Sequence, residues 1–135
     1  MKKFKCTNYQ RNFYNKNGYL VVKSVLSKRE CKSYIKEAHK VCKLETVTSN
    51  LYRKSKKFLN LLTDKRILSV ADTLLKWRVA PIGDLFFFAK SKSDKEAGSV
   101  PHQDNYAQRA EYGAYMAIAV YFDEATLDNG ALRVY

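Results

Sequence analysis

The chain has 135 residues, a length typical of about one domain, and 46% of them are hydrophobic, including ten Tyr and seven Phe. This content is enough for a packed core and argues against a disordered chain. The formal net charge is +12, and the charged side chains are unevenly distributed along the chain. Residues 1–95 hold 23 basic and 7 acidic side chains, whereas residues 96–135 hold 2 basic and 6 acidic ones. A basic first part can attract nucleic acid, anionic membrane or phosphorylated metabolites, although an ordinary solvated surface in a lysine-rich chain has the same composition.

Three cysteines, without C-x-x-C spacing, argue against a disulfide framework or a zinc site. Cys31 and Cys42 fall on one face of a predicted helix, so we expect them to be small buried apolar groups. The N-terminal stretch MKKFKCTNYQ lacks the apolar centre of a signal peptide, and the longest apolar run, residues 115–122, is too short for a bilayer. We therefore expect a soluble, cytoplasmic protein with no membrane partner.

The N-terminal third is predicted to hold one strong helix. Residues 1–12 are polar and are expected to form a loose segment, with a single domain over 13–135. After a turn at Asn17-Gly18 comes a short β-prone run, residues 19–22. Ser27 and Glu30 have the S-x-x-E spacing of a capping box, and apolar residues then recur at helical spacing. These signals predict a helix over 28–43.

The middle of the chain is predicted to be helical and the last part to be β-structure. Residues 51–62 and 65–76 resemble two further helices, the second with Asp64 as its N-cap. The strand signals come later, so the order of elements predicts an α+β domain with helices on a mostly antiparallel sheet. The predicted strands are 85–88, 115–122 and 131–135, the last preceded by a tight turn at 128–130. Because that last strand has no successor, we expect the chain to be truncated within its fold.

His102 and Asp104 are the candidate metal ligands. In an extended segment, side chains two positions apart point to the same side, so this H-x-D pair can face one point in space. Two histidines and one carboxylate form the facial triad of non-haem Fe(II) enzymes, which leaves open positions for a co-substrate and O2. The triplet alone is weak evidence, because such triplets often occur by chance and a loop histidine paired with a nearby aspartate has the same pattern.

The segments V-P-H-Q-D-N and A-V-Y-F-D-E-A-T-L-D-N-G-A-L-R-V resemble the phytanoyl-CoA dioxygenase family of Fe(II)- and 2-oxoglutarate-dependent oxygenases. Its members typically carry H-x-D, then an apolar strand, then an acidic segment that ends in N-G-x-L-x-V. The stretch N-G-Y-L-V-V-K-S-V-L-S-K-R-E-C also matches the family's opening strand and capped helix. The resemblance covers roughly residues 13–135, which would form an incomplete domain of this family.

The resemblance implies N-terminal helices packed on part of a double-stranded β-helix, a jelly-roll or cupin-like barrel that is truncated at the C-terminus. It implies Fe(II) as cofactor, 2-oxoglutarate and O2 as co-substrates, and His102 and Asp104 as two iron ligands. The third ligand, a histidine, and the arginine that pairs with 2-oxoglutarate come later in the family and are absent from this chain. Because Asp104 is present, hydroxylation is favoured over halogenation, in which related enzymes replace the carboxylate.

Other residues are assigned lesser roles. Asn105 and Tyr106 follow the pair directly and are candidates to line a substrate site, with a plain strand-end role as the alternative. His39 lies at the edge of the apolar stripe of the first predicted helix and is not expected to be a ligand. Arg133 lies too early to be the arginine for 2-oxoglutarate.

The resulting prediction is the N-terminal part of a non-haem Fe(II)/2-oxoglutarate-dependent dioxygenase, an oxidoreductase that hydroxylates a small organic substrate. The basic first part would favour an anionic one. Two ligands of three bind iron poorly, so we expect the chain alone to be inactive. The alternatives are a degenerate member of the family and a non-catalytic basic binding module for nucleic acid or another anionic ligand. No stacking platform of interleaved aromatic and basic residues supports nucleic acid as the partner.

Overall fold

The computed structural model describes residues 4–42, 47–82, 87–88, 101–105, 109–111, 113–129 and 131–135. Within these ranges the chain forms five α-helices, one antiparallel pair of two-residue strands and a short 3-10 helix. In chain order they are α1 (Asn8–Asn17), α2 (Lys28–Val41), β1 (Val47–Thr48), α3 (Leu51–Lys54), α4 (Lys56–Leu62), α5 (Lys65–Leu75), β2 (Phe87–Phe88) and the 3-10 helix (Leu127–Asn129). None of the described helices combines the length and the apolar character that a membrane span requires.

Helix α2 begins where the sequence predicts. Ser27 Oγ accepts a hydrogen bond from the backbone N–H of Glu30, and the Glu30 carboxylate accepts one from the backbone N–H of Ser27 at 2.7 Å. Each side chain therefore satisfies a backbone donor that the first helical turn leaves without a partner. The helix ends at Val41, with the buried Cys42 as its C-cap, whereas Cys31 is only half-buried.

A helix, α1, occupies much of the segment that was expected to be loose. Thr7 caps it, because its side chain accepts from the backbone N–H of Gln10 while the Gln10 side chain accepts from the N–H of Thr7. Gly18 ends the helix in the left-handed region, at φ 75°, where its N–H donates to Tyr14. Arg11 also donates to the backbone oxygen of Thr73 at 2.8 Å, which ties α1 to α5.

The predicted helix over 51–62 is divided into α3 and α4 at Ser55. Ser55 has extended dihedral angles, φ −150° and ψ 125°, and its side chain accepts a hydrogen bond from the N–H of Lys57. Its hydroxyl donates to Glu37 of α2 at 2.7 Å, so the break is also a contact between helices. Helix α5 follows with Asp64 as its N-cap, as predicted.

The core lies between α2 and the helices that follow it. Phe58 of α4 and Leu51 of α3 are each only 1% exposed, and the Phe58 ring lies 5.8 Å from that of Tyr34 on α2. Phe122 also stacks on this tyrosine, with ring centroids 5.2 Å apart and planes 13° apart. The buried cluster comprises Tyr34, Ala38, Cys42, Leu51, Phe58, Leu61 and Ile67.

The predicted fold class is wrong for the described residues. They are largely helical, with essentially no strands and no barrel, where an α+β domain with a jelly-roll, cupin-like double-stranded β-helix was expected. Residues 19–22, 115–121 and 131–135 form no strand in the structure. The N–H of Ala131 instead donates to the backbone oxygen of Thr126 at 2.9 Å, within a turn. Of the predicted strand 85–88, Phe87–Phe88 pairs with Val47–Thr48, and residues 85–86 lie outside the described ranges.

Candidate functional site

His102 and Asp104 lie in the short segment 101–105, which follows Pro101. The Nε2 atom of His102 is 3.2 Å from Oδ1 of Asp104, so the two polar groups approach the same point. Their side chains are 47% and 49% exposed, respectively. The pair is therefore accessible from solvent, as a site that takes up a ligand must be, and no barrel encloses it within the described residues.

The distance between these two atoms suits two kinds of contact. Transition metals bind imidazole nitrogen and carboxylate oxygen at about 2.0–2.2 Å, so two ligands at right angles lie about 3 Å apart. A hydrogen bond from an N–H to a carboxylate oxygen spans about 2.7–3.2 Å. The donor chemistry and the spacing of His102 and Asp104 thus fit one edge of an iron site, and they fit an ion pair equally.

No third ligand joins the pair within the described ranges. They contain no group of three His, Cys, Asp or Glu side chains that could surround one metal ion. His39, the other histidine of the chain, is exposed in the last turn of α2. The described part of the chain thus brings two metal-ligating side chains, His102 and Asp104, close together.

Asn105, which follows the pair, forms hydrogen bonds with residues 109 and 110. Its side-chain amide donates to the backbone oxygen of Ala110 and accepts from the N–H of the same residue, both at 2.9 Å. Its backbone oxygen accepts from the N–H of Arg109, which has a left-handed φ of 50°. These bonds support a structural role for Asn105, whereas Tyr106, the other candidate for substrate contact, lies outside the described residues.

The acidic segment after residue 122 forms a closed turn around Asn129. The Asn129 side chain accepts from the N–H of Thr126 at 2.6 Å and donates to the backbone oxygen of Glu124 at 2.7 Å. Residues Leu127–Asn129 form the 3-10 helix, while Gly130 lies outside the described ranges. The side chain of Arg133 is exposed.

A charged network that the sequence did not reveal connects the N-termini of α2 and α5. Arg66 donates to Glu30 at 2.7 Å and to Asp64 at 2.7 Å. The hydrogen bond from Arg66, with help from the backbone N–H of Ser27, lowers the pKa of Glu30 to about 2. The same guanidinium lowers the pKa of Asp64, and the two carboxylates raise the pKa of Arg66.

This network is structural, because each of its members caps a helix or bridges two caps. An open depression of about 480 Å³ lies beside it, lined by Glu30, Asn60, Thr63, Asp64, Lys65 and Arg66. The guanidinium is already shared between two carboxylates, so it is not available for the carboxylate of a co-substrate. The candidate iron ligands are not among the lining residues.

Comparison with protein-family models places most of the chain in one known family. The family model described as phytanoyl-CoA dioxygenase (PhyH) matches residues 14–135, which is nearly the whole chain. The matched range includes α2 with its cap, the His102–Asp104 pair and the turn around Asn129. Neither a curated protein nor a solved structure matches.

Proposed function

Because the chain belongs to the phytanoyl-CoA dioxygenase family, we propose that its chemistry is that of a non-haem Fe(II)/2-oxoglutarate-dependent dioxygenase. The family match supports a dioxygenase in general. The finer proposal concerns the metal, the reaction and the residues that carry it. The observation that supports it most is the 3.2 Å approach of His102 Nε2 to Asp104 Oδ1 within the matched range.

His102 and Asp104 would hold the iron. A neutral imidazole nitrogen and a carboxylate oxygen are ligands that suit Fe(II), and one residue between them allows both to turn to one side. When bound, Fe(II) supplies, together with 2-oxoglutarate and O2, the oxidising power that hydroxylates a C–H bond. Asp104 retains the carboxylate position, which favours hydroxylation over halogenation.

Asn105 is the positioning residue that we assign beside the pair. Its two hydrogen bonds to Ala110 connect the residue that follows Asp104 in the chain to residue 110. An anchored Asn105 would limit the directions that its neighbour Asp104 can take, and ligands must be held closely to bind a metal in a defined geometry. The substrate is proposed to be a small organic molecule, and the basic first part of the chain favours an anionic one.

The experiment that tests this proposal is anaerobic titration of the 135-residue chain with Fe(II), followed by calorimetry. We expect weak binding, since two ligands of three are present, and we expect His102→Ala and Asp104→Ala each to abolish it. His39→Ala is the matched control, because it removes the other exposed histidine, and it should leave the titration unchanged. Equal loss in all three variants, or no loss in His102→Ala, would show that the pair is an ordinary ion pair.

A further inference from the structure

The solvent-facing side of α2 carries almost only basic residues. Seven of its positions are exposed, and six of these are basic: Lys28, Arg29, Lys32, Lys36, His39 and Lys40. The seventh, Ser33, accepts hydrogen bonds from the ammonium group of Lys57, so a further cation from α4 covers it. The exposed face of α2 therefore carries five Lys and Arg side chains and no acidic one.

The acidic residues of α2 do not neutralise this face, because both have partners elsewhere. Glu30 is bound to Arg66 and to the cap at Ser27, and Glu37 accepts a hydrogen bond from Ser55. Among the described residues, Lys40 is the one basic side chain of this face that approaches a carboxylate, that of Glu37, at 4.0 Å. Within the described part of the chain, Lys28, Lys32 and Lys36 have no ion pair.

Four of these residues form a regular row, which we call the lysine row: Lys28, Lys32, Lys36 and Lys40. They are spaced by four residues, so each step rises about 6 Å along the helix and the row extends over about 18 Å. Each step also turns by about 40°, so the row curves gently across the exposed face. A partner that fits it must present several negative charges along a line.

We propose that the lysine row of α2 binds the phosphodiester backbone of a nucleic acid. A duplex carries one phosphate charge per about 3.4 Å along each strand, so the length of the row spans about five phosphates of one strand. Each ammonium group can then find a phosphate without a fixed register, since lysine binds phosphate as a flexible point charge. This proposal is independent of the oxygenase chemistry, and it concerns contacts to the backbone and not to the bases.

An anionic membrane is the other surface that such a face could meet, and the structure favours it less. Helices that bind membranes bury apolar side chains in the interface next to their lysines. The apolar side of α2 is instead occupied by the core, where Tyr34, Ala38 and Cys42 pack against Phe58 and Leu61. None of the large exposed apolar residues of the described chain lies on α2.

The test measures binding of the full 135-residue chain to labelled duplex DNA, duplex RNA and single strands by fluorescence anisotropy, between about 50 and 200 mM salt. The variant changes all four residues of the row to glutamine (Lys28→Gln, Lys32→Gln, Lys36→Gln, Lys40→Gln). We expect its affinity to fall at least about tenfold, and the slope of log K against log salt to shrink by about 3–4 on duplex DNA. Glutamine has nearly the helix propensity of lysine, so circular dichroism should report an unchanged helix content.

The matched control removes the same number of charges elsewhere on the surface, with Lys5→Gln, Lys16→Gln, Lys65→Gln and Lys76→Gln, all at exposed positions. It should keep the wild-type affinity within about threefold, and arginine at the four row positions should keep it as well. If both glutamine variants lost the same affinity, the change in net charge alone would explain the loss, and the proposal would be overturned. No binding by the wild type, or tighter row-dependent binding to phosphatidylserine vesicles than to any nucleic acid, would overturn it too.

Discussion

Replacing Arg66 with methionine should destabilise the fold by removing the guanidinium that bridges two helix caps. The pKa of Glu30 is lowered from 4.5 to about 2. If the whole pKa shift counted towards the free energy of unfolding, it would contribute about 3 kcal/mol. The side chains of Glu30 and Arg66 are 38% and 30% exposed, so solvent screening reduces the expected loss to about 1–2 kcal/mol at neutral pH. Urea unfolding followed by circular dichroism measures this loss.

The pH dependence of this effect has a definite sign. Both Glu30 and Asp64 have lowered pKa values in the folded chain. The two carboxylates therefore stabilise the fold fully at a pH above the pKa of a carboxyl group in the unfolded chain, and this stabilisation is lost as the pH falls through their lowered pKa values. The difference in unfolding free energy between wild type and Arg66→Met should therefore be largest at neutral pH and shrink as the pH falls from about 4.5 towards 2.

Lys65→Met is the matched control for this prediction, because Lys65 is the neighbouring cation of α5 and is exposed. It should change the free energy of unfolding by less than about 0.5 kcal/mol. A loss in Arg66→Met that is the same at pH 7 and near pH 2, or no larger than that of the control, would refute the assignment of the network as the bridge between α2 and α5.

Three further outcomes are expected. Phe58→Ala should lower the free energy of unfolding by about 3–5 kcal/mol, because Phe58 is 1% exposed. The control Leu59→Ala, at a position 41% exposed, should lower it by less than about 1 kcal/mol. Similar losses in the two variants would contradict the assigned core. Ser55→Ala should cost about 1–2 kcal/mol in the same assay, since it removes the cap of α4 and the hydrogen bond to Glu37, and an unchanged stability would argue against this contact. The purified 135-residue chain, supplied with Fe(II), 2-oxoglutarate and O2, should release no succinate above a metal-free control, and turnover would refute the prediction that it is inactive.

The helices were predictable where their signals are local. The reciprocal bonds of Ser27 and Glu30 and the cap at Asp64 involve residues at most three positions apart, so the sequence contains all that is needed. Helix α1 carried the same kind of signal, because Thr7 and Gln10 have capping-box spacing, but its polar composition concealed it. The break at Ser55 depends in part on a hydrogen bond to Glu37, eighteen positions away. The residues around Ser55 do not predict this contact.

The strands were not predictable in the same way. An apolar run such as residues 115–122 indicates side chains that fit a pleated, partly buried surface, whereas a strand requires a neighbour for its backbone groups. In the structure Val120 and Phe122 pack against the helical core instead, with Phe122 stacked on Tyr34. The bridging role of Arg66 was missed for a related reason, since Glu30 lies 36 positions away.

For the candidate site, the sequence predicted which residues to examine and the family to which they belong. The i, i+2 spacing made a convergence of His102 and Asp104 possible, and their polar atoms lie 3.2 Å apart. Spacing does not distinguish a metal ligand pair from an ion pair, because both need the same approach. Metal binding by this pair therefore stays a prediction.

The most direct test of the central claim uses the fact that the chain contains only two histidines. Imidazole ¹⁵N signals of His102 and His39 can be assigned with the His39→Ala variant and followed by NMR during an anaerobic Fe(II) titration. We predict that the paramagnetic ion broadens or shifts the signals of His102 first, and that Asp104→Asn weakens this effect while those of His39 stay sharp. Equal broadening of both histidines, or a response of His102 that survives both Asp104→Asn and Asp104→Ala, would contradict joint metal binding by His102 and Asp104.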